Sequence, residues 1–148
     1  MSQTTGYDFT MARGQAGQLA DSRDNTVLSF AAEGAIAFGI PVMRGTADNQ
    51  VVISDASSFV GVSLFEHNHE NEYQTTNGAE YLDGEAVSVL SQGSVLVASS
   101  VDSVAAGDVA YVTSAGAFTN VEGTNLAVGE FESAGDTGDL VVLTINRP

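Results

Sequence analysis

The sequence predicts an all-β domain: a jelly-roll-like β-sandwich or small barrel of about eight to ten short antiparallel strands, preceded by an extended N-terminal arm. Three observations carry that expectation. Apolar residues recur in short runs with a period of two, and no segment keeps a helical apolar period beyond about two turns. Sixteen glycines in 148 residues punctuate those runs, as the many turns of an all-β chain require. Finally, "DGEAVSVLSQGSVLV" (residues 83–97) returns 23 residues later without a gap, Gly84-Glu85 matching Gly107-Asp108, Val89 matching Val112 and Gly93 matching Gly116. The repeat predicts two successive hairpins. In the first, "AVSVL" and "SVLVA" flank "SQG", and in the second "VAYVT" and "AFTNV" flank "SAG", three-residue connections with a glycine free to take positive φ. A reused hairpin is scaffold more often than catalytic apparatus.

The remaining elements follow in chain order. Residues 1–26 are polar, rich in glycine and glutamine, and without a sustained period; they predict an extended arm that is ordered where something binds it, and residues 27–148 form the body. "TVLSF" opens the strand-like material, a turn falls near Glu33-Gly34, and "AIAFGIPVMRG" follows. Pro41 has no backbone donor, which puts its segment at a sheet edge or at a strand start. "QVVISD" (50–55) is a short strand and "FVGVSLFEH" (59–67) a longer one, where Gly61 allows a bend or the close approach of another backbone. A polar connection containing Asn77-Gly78 leads to the matched hairpins. "LAVGEFES" is the next strand, and "LVVLTI" (140–145), apolar at almost every position, predicts burial on both faces.

Composition narrows the function. Nineteen acids face four bases, all arginine (Arg13, Arg23, Arg44, Arg147), for a formal charge of −15. Such a surface repels phosphate backbones and anionic headgroups, so neither nucleic acid nor membrane is an expected partner; the acidity suits solubility, in a salty medium above all. Without cysteine there is no disulfide framework, thiolate nucleophile or Cys-ligated metal. The N-terminus lacks the basic-then-apolar pattern of a secretory signal, and no apolar run approaches the roughly 18 residues of a membrane span.

One stretch has the composition of a site. In "GVSLFEHNHENEY", His67 and His69 stand two apart, so on a strand both imidazoles face one side and can grip a metal ion with nearby carboxylates. The spacing approaches the first metal motif of cupins, with Gly61 and the histidine pair in place and Glu72 one position early. That motif needs a further histidine from a second segment, and the chain has only two; a hydrated polar loop explains the stretch as well. No "GxSxG" elbow, "GxxxxGK[ST]" loop or dinucleotide fingerprint occurs, and lysine is absent. Asp102, Asp108, Asp136 and Asp139 sit where short acids hydrogen-bond their own backbone in turns. No catalytic residue and no cofactor is expected.

The segment "GQAGQLADSRDNTVLSFAAEGAIAFGIPVMRGTADNQV" resembles the N-terminal portion of the structural cement, or decoration, proteins of tailed-bacteriophage capsids. Gly17 to Asp21, Ile36 to Gly45 and Thr46 to Gln50 carry that cadence, and "FVGVSLFEH", the repeated hairpin stretch and "GDLVVLTINRP" continue it. The resemblance implies a jelly-roll-like body, made in the host cytoplasm, that self-associates as a dimer or trimer. It also implies binding on the outer surface of the virion over junctions between major capsid protein subunits, stabilising the mature shell without chemistry. Arg13 and Arg23, in an otherwise acidic chain, are then candidate inter-subunit anchors for carboxylates on a neighbour. A glycan- or receptor-binding β-domain of a virion is the alternative, weakened by 7% aromatic residues and no tryptophan; a cupin-like metal-binding protein built on His67, His69 and Glu72 is the other.

Overall fold

A computed structural model of the chain describes residues 16–21, 24–65, 80–99 and 103–145. Among these residues there are thirteen strands and no helix. They are β1 (Thr26–Ala32), β2 (Ile36–Ala37), β3 (Pro41–Arg44), β4 (Gln50–Ile53), β5 (Gly61–Ser63), β6 (Glu80–Tyr81), β7 (Ala86–Ala98), β8 (Ser103–Val104), β9 (Val109–Val112), β10 (Phe118–Thr119), β11 (Leu126–Phe131), β12 (Gly135–Asp136) and β13 (Leu140–Ile145). Nine of them make one continuous sheet in the order β1-β4-β3-β5-β7-β13-β11-β9-β10, and β1 also pairs with β7.

That extra pairing closes the first half into a five-stranded barrel of β1, β4, β3, β5 and the leading half of β7. The second half closes in the same way. The trailing half of β7, β10, β9, β11 and β13 form a second ring, completed by a parallel bridge between Ser99 and Phe118. Strand for strand the two rings agree: the first strand runs parallel to the third, β1 to β4 as β7 to β10, and every other neighbouring pair is antiparallel. Even the two-stranded ribbons correspond, β2 with β6 and β8 with β12. The small-barrel expectation therefore holds twice over.

Hydrogen bonds fix the correspondence residue by residue. Gly84 N–H donates to Ala32 O and Ala32 N–H to Glu85 O, both at 2.8 Å; in the second ring Gly138 N–H donates to Ser99 O at 2.7 Å and Ser99 N–H to Asp139 O at 3.1 Å. Gly39 N–H reaches Ser63 O at 2.7 Å, as Gly107 N–H reaches Phe131 O at 2.7 Å. Gly61 and Gly129 correspond as well: a Cβ on either would collide with a partner-strand carbonyl oxygen, that of Leu90 or of Thr144. The close approach expected at Gly61 is thus real and has a twin.

The repeat read in the sequence is resolved differently by the fold. The stretch 114–116 is a hairpin turn, with Gly116 at φ 79° and Thr113 N–H donating to Ala117 O at 2.9 Å. The matching stretch 91–93 is no turn, because β7 runs through it unbroken. Both halves of β7 find partners elsewhere, residues 86–92 on β1 and 93–98 on β13, and those long-range ladders outweigh the local turn preference of Gln92-Gly93. Gly93, at φ 132°, marks the junction where the strand passes from one barrel to the other; a side chain there would strike the Asn25 carboxamide. What the alignment did capture is a local turn. Glu85, Asp108 and Asp139 each follow a glycine with φ between 84° and 96° and fold the carboxylate back to the N–H three residues earlier, of Leu82, Ala105 and Asp136, as a type II turn with glycine third allows.

Two cores result. The first surrounds Tyr81 and Phe38, whose rings meet edge to face with centroids 5.1 Å apart, together with Val42, Val51, Val87 and Val89. The second contains Val95, Val97, Val112, Phe118, Phe131 and Leu143, and takes in Val62, Leu64 and Leu90 from the outer face of the first barrel. Pro41 begins β3, where its missing donor is harmless. Of the longer strand expected over 59–67, the described part is strand only over Gly61–Ser63, and residues 66–67 lie outside the described residues. Burial along β13 alternates, with Val141, Leu143 and Ile145 buried and Leu140, Val142 and Thr144 half-buried; only one face meets a core, which corrects the two-faced burial expected of "LVVLTI".

Candidate interaction surface

Among the described residues, β1 is paired along its whole length on one side only. Ala31 N–H turns to Asn49 O at 2.8 Å, where β4 begins, while Ala32 N–H turns to Glu85 O at the start of β7. Because main-chain groups alternate along a strand, Val27 and Ser29 present their N–H and C=O away from β7. Among the described residues nothing pairs with them, since β4 engages only Ala31 and Ala32. The side chains there are apolar and exposed, Val27 by 47% and Leu28 by 40%. An edge with open main-chain groups and apolar side chains accepts a further strand.

The second barrel shows the same edge filled. Ser94 and Leu96 correspond to Val27 and Ser29, and there residues 17–20 lie antiparallel to β7. Leu96 N–H donates to Gln18 O at 2.9 Å, Gly17 N–H to Leu96 O at 2.8 Å and Ala20 N–H to Ser94 O at 3.0 Å, with Leu19 opposite Val95. Gly17 is tightly enclosed, since a Cβ on it would meet Phe65 N and Gly39 N. Residues 16–21, within the stretch expected as an arm, thus hydrogen-bond to the body.

Beside the open edge the chain is stiffened. The Arg44 guanidinium lies 4.9 Å from the centroid of the Phe30 ring and donates from Nη1 to Asp48 O at 2.8 Å, a cation–π contact combined with a turn clamp. Glu33 accepts from Thr46 Oγ1 at 2.6 Å and Thr46 N–H at 2.8 Å; first the hydroxyl bond, then the amide bond, hold its carboxyl below the usual carboxylate range. Asp108 is lowered likewise, by the Ala105 amide and then the Asn120 side chain, and Asp55 by Ser57. These acids serve turns.

Around them the charge is one-sided. All the acids except Asp8, Glu66, Glu70, Glu72 and Asp102 fall among the described residues, together with a single arginine, Arg44. A cleft of about 660 Å³ between the start of β1, the β7 junction and the β11–β13 ladder is lined by Asp24, Glu130, Glu132, Gln92, Ser94 and Thr144. No group of three or more histidines and acids placed to hold a metal ion occurs among the described residues. His67, His69 and Glu72 lie outside the described residues, as do Arg13 and Arg23. The open edge escaped sequence reading because nothing local in "TVLSF" reports which neighbour a strand lacks.

Paired glycine-turn barrels, with a strand edge at Val27 and Ser29 that no described residue pairs, define a double β-barrel module. The sequence matches, over residues 2–146, the family described as "Structural cement protein (E217 gp24/Pam3 gp6)"; the protein belongs to that family of phage structural proteins. No curated protein sequence matches it significantly. Among solved structures, it is similar to a chain of "The capsid of Myoviridae Phage XM1", at 19% identity, covering 99% of both chains with a TM-score of 0.69. The base of the head fibre gp8.5 of bacteriophage phi29 is also similar, at 12% identity over 83% of this chain and 95% of that one, with a TM-score of 0.56. At these identities the likeness is one of fold.

Proposed function

We propose that this protein is a capsid cement: it binds the outer surface of a tailed-phage head over junctions between major capsid protein subunits, self-associates as a dimer or trimer, and stabilises the mature shell without catalysing a reaction. The family match across residues 2–146 carries the reading. The fold supports it physically. Two barrels fused through one continuous strand make a body with two similar ends, able to touch two neighbours at once. The acidity favours the outside of a shell, because a chain of charge −15 is repelled by packaged DNA. Each contact can be weak, since many copies on a lattice act together. Arg13 and Arg23 serve as anchors for carboxylates on neighbouring chains.

Co-sedimentation with mature heads stripped of cement tests the proposal. The expected result is saturable binding and a higher temperature for DNA release from the shell. Removing residues 1–15, which spares the 17–20 pairing, is expected to weaken binding strongly. Heads that neither bind the full-length protein nor gain heat resistance from it would refute the reading.

A further inference from the structure

At one repeated place the two barrels are covered differently: residues 17–20 fill the edge at Ser94 and Leu96, while no described residue pairs with the corresponding edge at Val27 and Ser29. We infer that the open edge is a strand-acceptor site for a second copy of this chain, and that its occupant is the stretch Tyr7–Met11 of that copy, running antiparallel to β1.

The chemistry of that stretch fits. "YDFTM" alternates apolar Tyr7, Phe9 and Met11 with polar Asp8 and Thr10, the pattern of a strand with one face covered. Met11 lies five residues before Ala16, an extended span of up to about 17 Å, so the acceptor edge must sit close beside Ala16 of the donor copy. The filled edge supplies the register. Leu19 stands opposite Val95, and Val95 corresponds to Leu28, so the matching arrangement sets Phe9 opposite Leu28. The main-chain groups of Val27 and Ser29 are then satisfied by Asp8 and Thr10.

Two residues past Met11, the same register brings Arg13 to Asp24, on the rim of the cleft lined by Glu130 and Glu132. The described part of each copy carries fourteen acids and one arginine, so two bodies repel each other, and an arm bringing an arginine to that cleft offsets the repulsion locally. The inference names the contact behind the self-association proposed above, yet is independent of capsid binding.

The absence of cysteine allows a clean test. Phe9 and Leu28 would form a non-hydrogen-bonded antiparallel pair with Cα atoms about 4.5 Å apart, close enough for a disulfide. An oxidised mixture of the full-length F9C and L28C variants is expected to give a mixed disulfide dimer in at least tenfold excess over either variant alone. Adding S29P to the L28C chain removes the outward N–H and is expected to cut that yield at least tenfold, with the circular dichroism spectrum unchanged because an edge position tolerates proline. No excess of mixed dimer, or full yield with S29P, would overturn the inference. So would a double F9C/L28C chain that closes on itself and leaves no dimer. Capsid binding that survives S29P would leave the cement reading intact while locating it elsewhere on the molecule.

Discussion

Gly61 and Gly129 occupy the same position in the two successive barrels, each pressed so close to the neighbouring strand that a single methyl group would overlap a carbonyl oxygen. Neither has positive φ, so the constraint is space and not conformation. G61A and G129A should each cost about 3 kcal/mol, at the upper end of overpacking because the obstacle is backbone, and lower Tm by roughly 10 °C. G84A makes the contrast. With φ at 86° and nothing within 4 Å of a built Cβ, it should cost only about 1–2 kcal/mol through strain. Thermal unfolding of the three variants checks the ranking.

The correspondence between barrels yields a second expectation. Ser99 is 2% exposed and its Oγ has no hydrogen-bond partner, while its counterpart in the first barrel is Ala32, also fully buried. A buried hydroxyl without a partner costs about 1–3 kcal/mol. S99A should therefore leave stability unchanged or raise it by about 1 kcal/mol; a clear loss in urea unfolding would mean that the two positions are not equivalent.

Tyr81 is wholly buried in the first core and its hydroxyl donates to Leu64 O at 2.7 Å. Y81F keeps the ring contacts with Phe38 and removes the hydroxyl that donates to Leu64 O. The expected loss is about 1–2 kcal/mol, the desolvation of a carbonyl deprived of its donor. A Tm equal to that of the parent would show that Leu64 O is satisfied without it.

Acid should act through Glu33. Folding lowers its pKa, so its contribution is complete above the unfolded carboxylate range, about 4, and is lost as pH falls through the lower folded value. E33A should lower Tm at neutral pH by freeing Thr46, and the gap from the parent should narrow steadily as the solution is acidified through that range. A gap independent of pH would assign the effect to packing instead of to the carboxylate.

How far the sequence foretold this molecule depended on whether a feature was local. The hairpin at Gly116 and the carboxylate-folded turns at Asp108 and Asp139 were legible, because each is decided within a few residues; the glycine inside the apolar run, Gly61, marked a close approach without naming the strand that makes it. "SQG" carried the same local turn signal and was overruled by ladders to β1 and β13 that no short window contains. The doubling of the barrel stayed hidden for the same reason. Its equivalent residues, such as Gly39 with Gly107 and Gly61 with Gly129, lie 68 positions apart, and the 23-residue repeat aligned one true local turn with the wrong strand. The open edge at Val27 and Ser29 was out of reach altogether, being defined by a missing neighbour.

A cryo-EM reconstruction of the virion tests the central claim most directly. The account predicts paired-barrel density on the outer face of the head, seated across the boundaries between major capsid protein subunits in a repeating arrangement. Heads whose outer surface carries no such density, in particles shown by mass spectrometry to lack the chain, would contradict it.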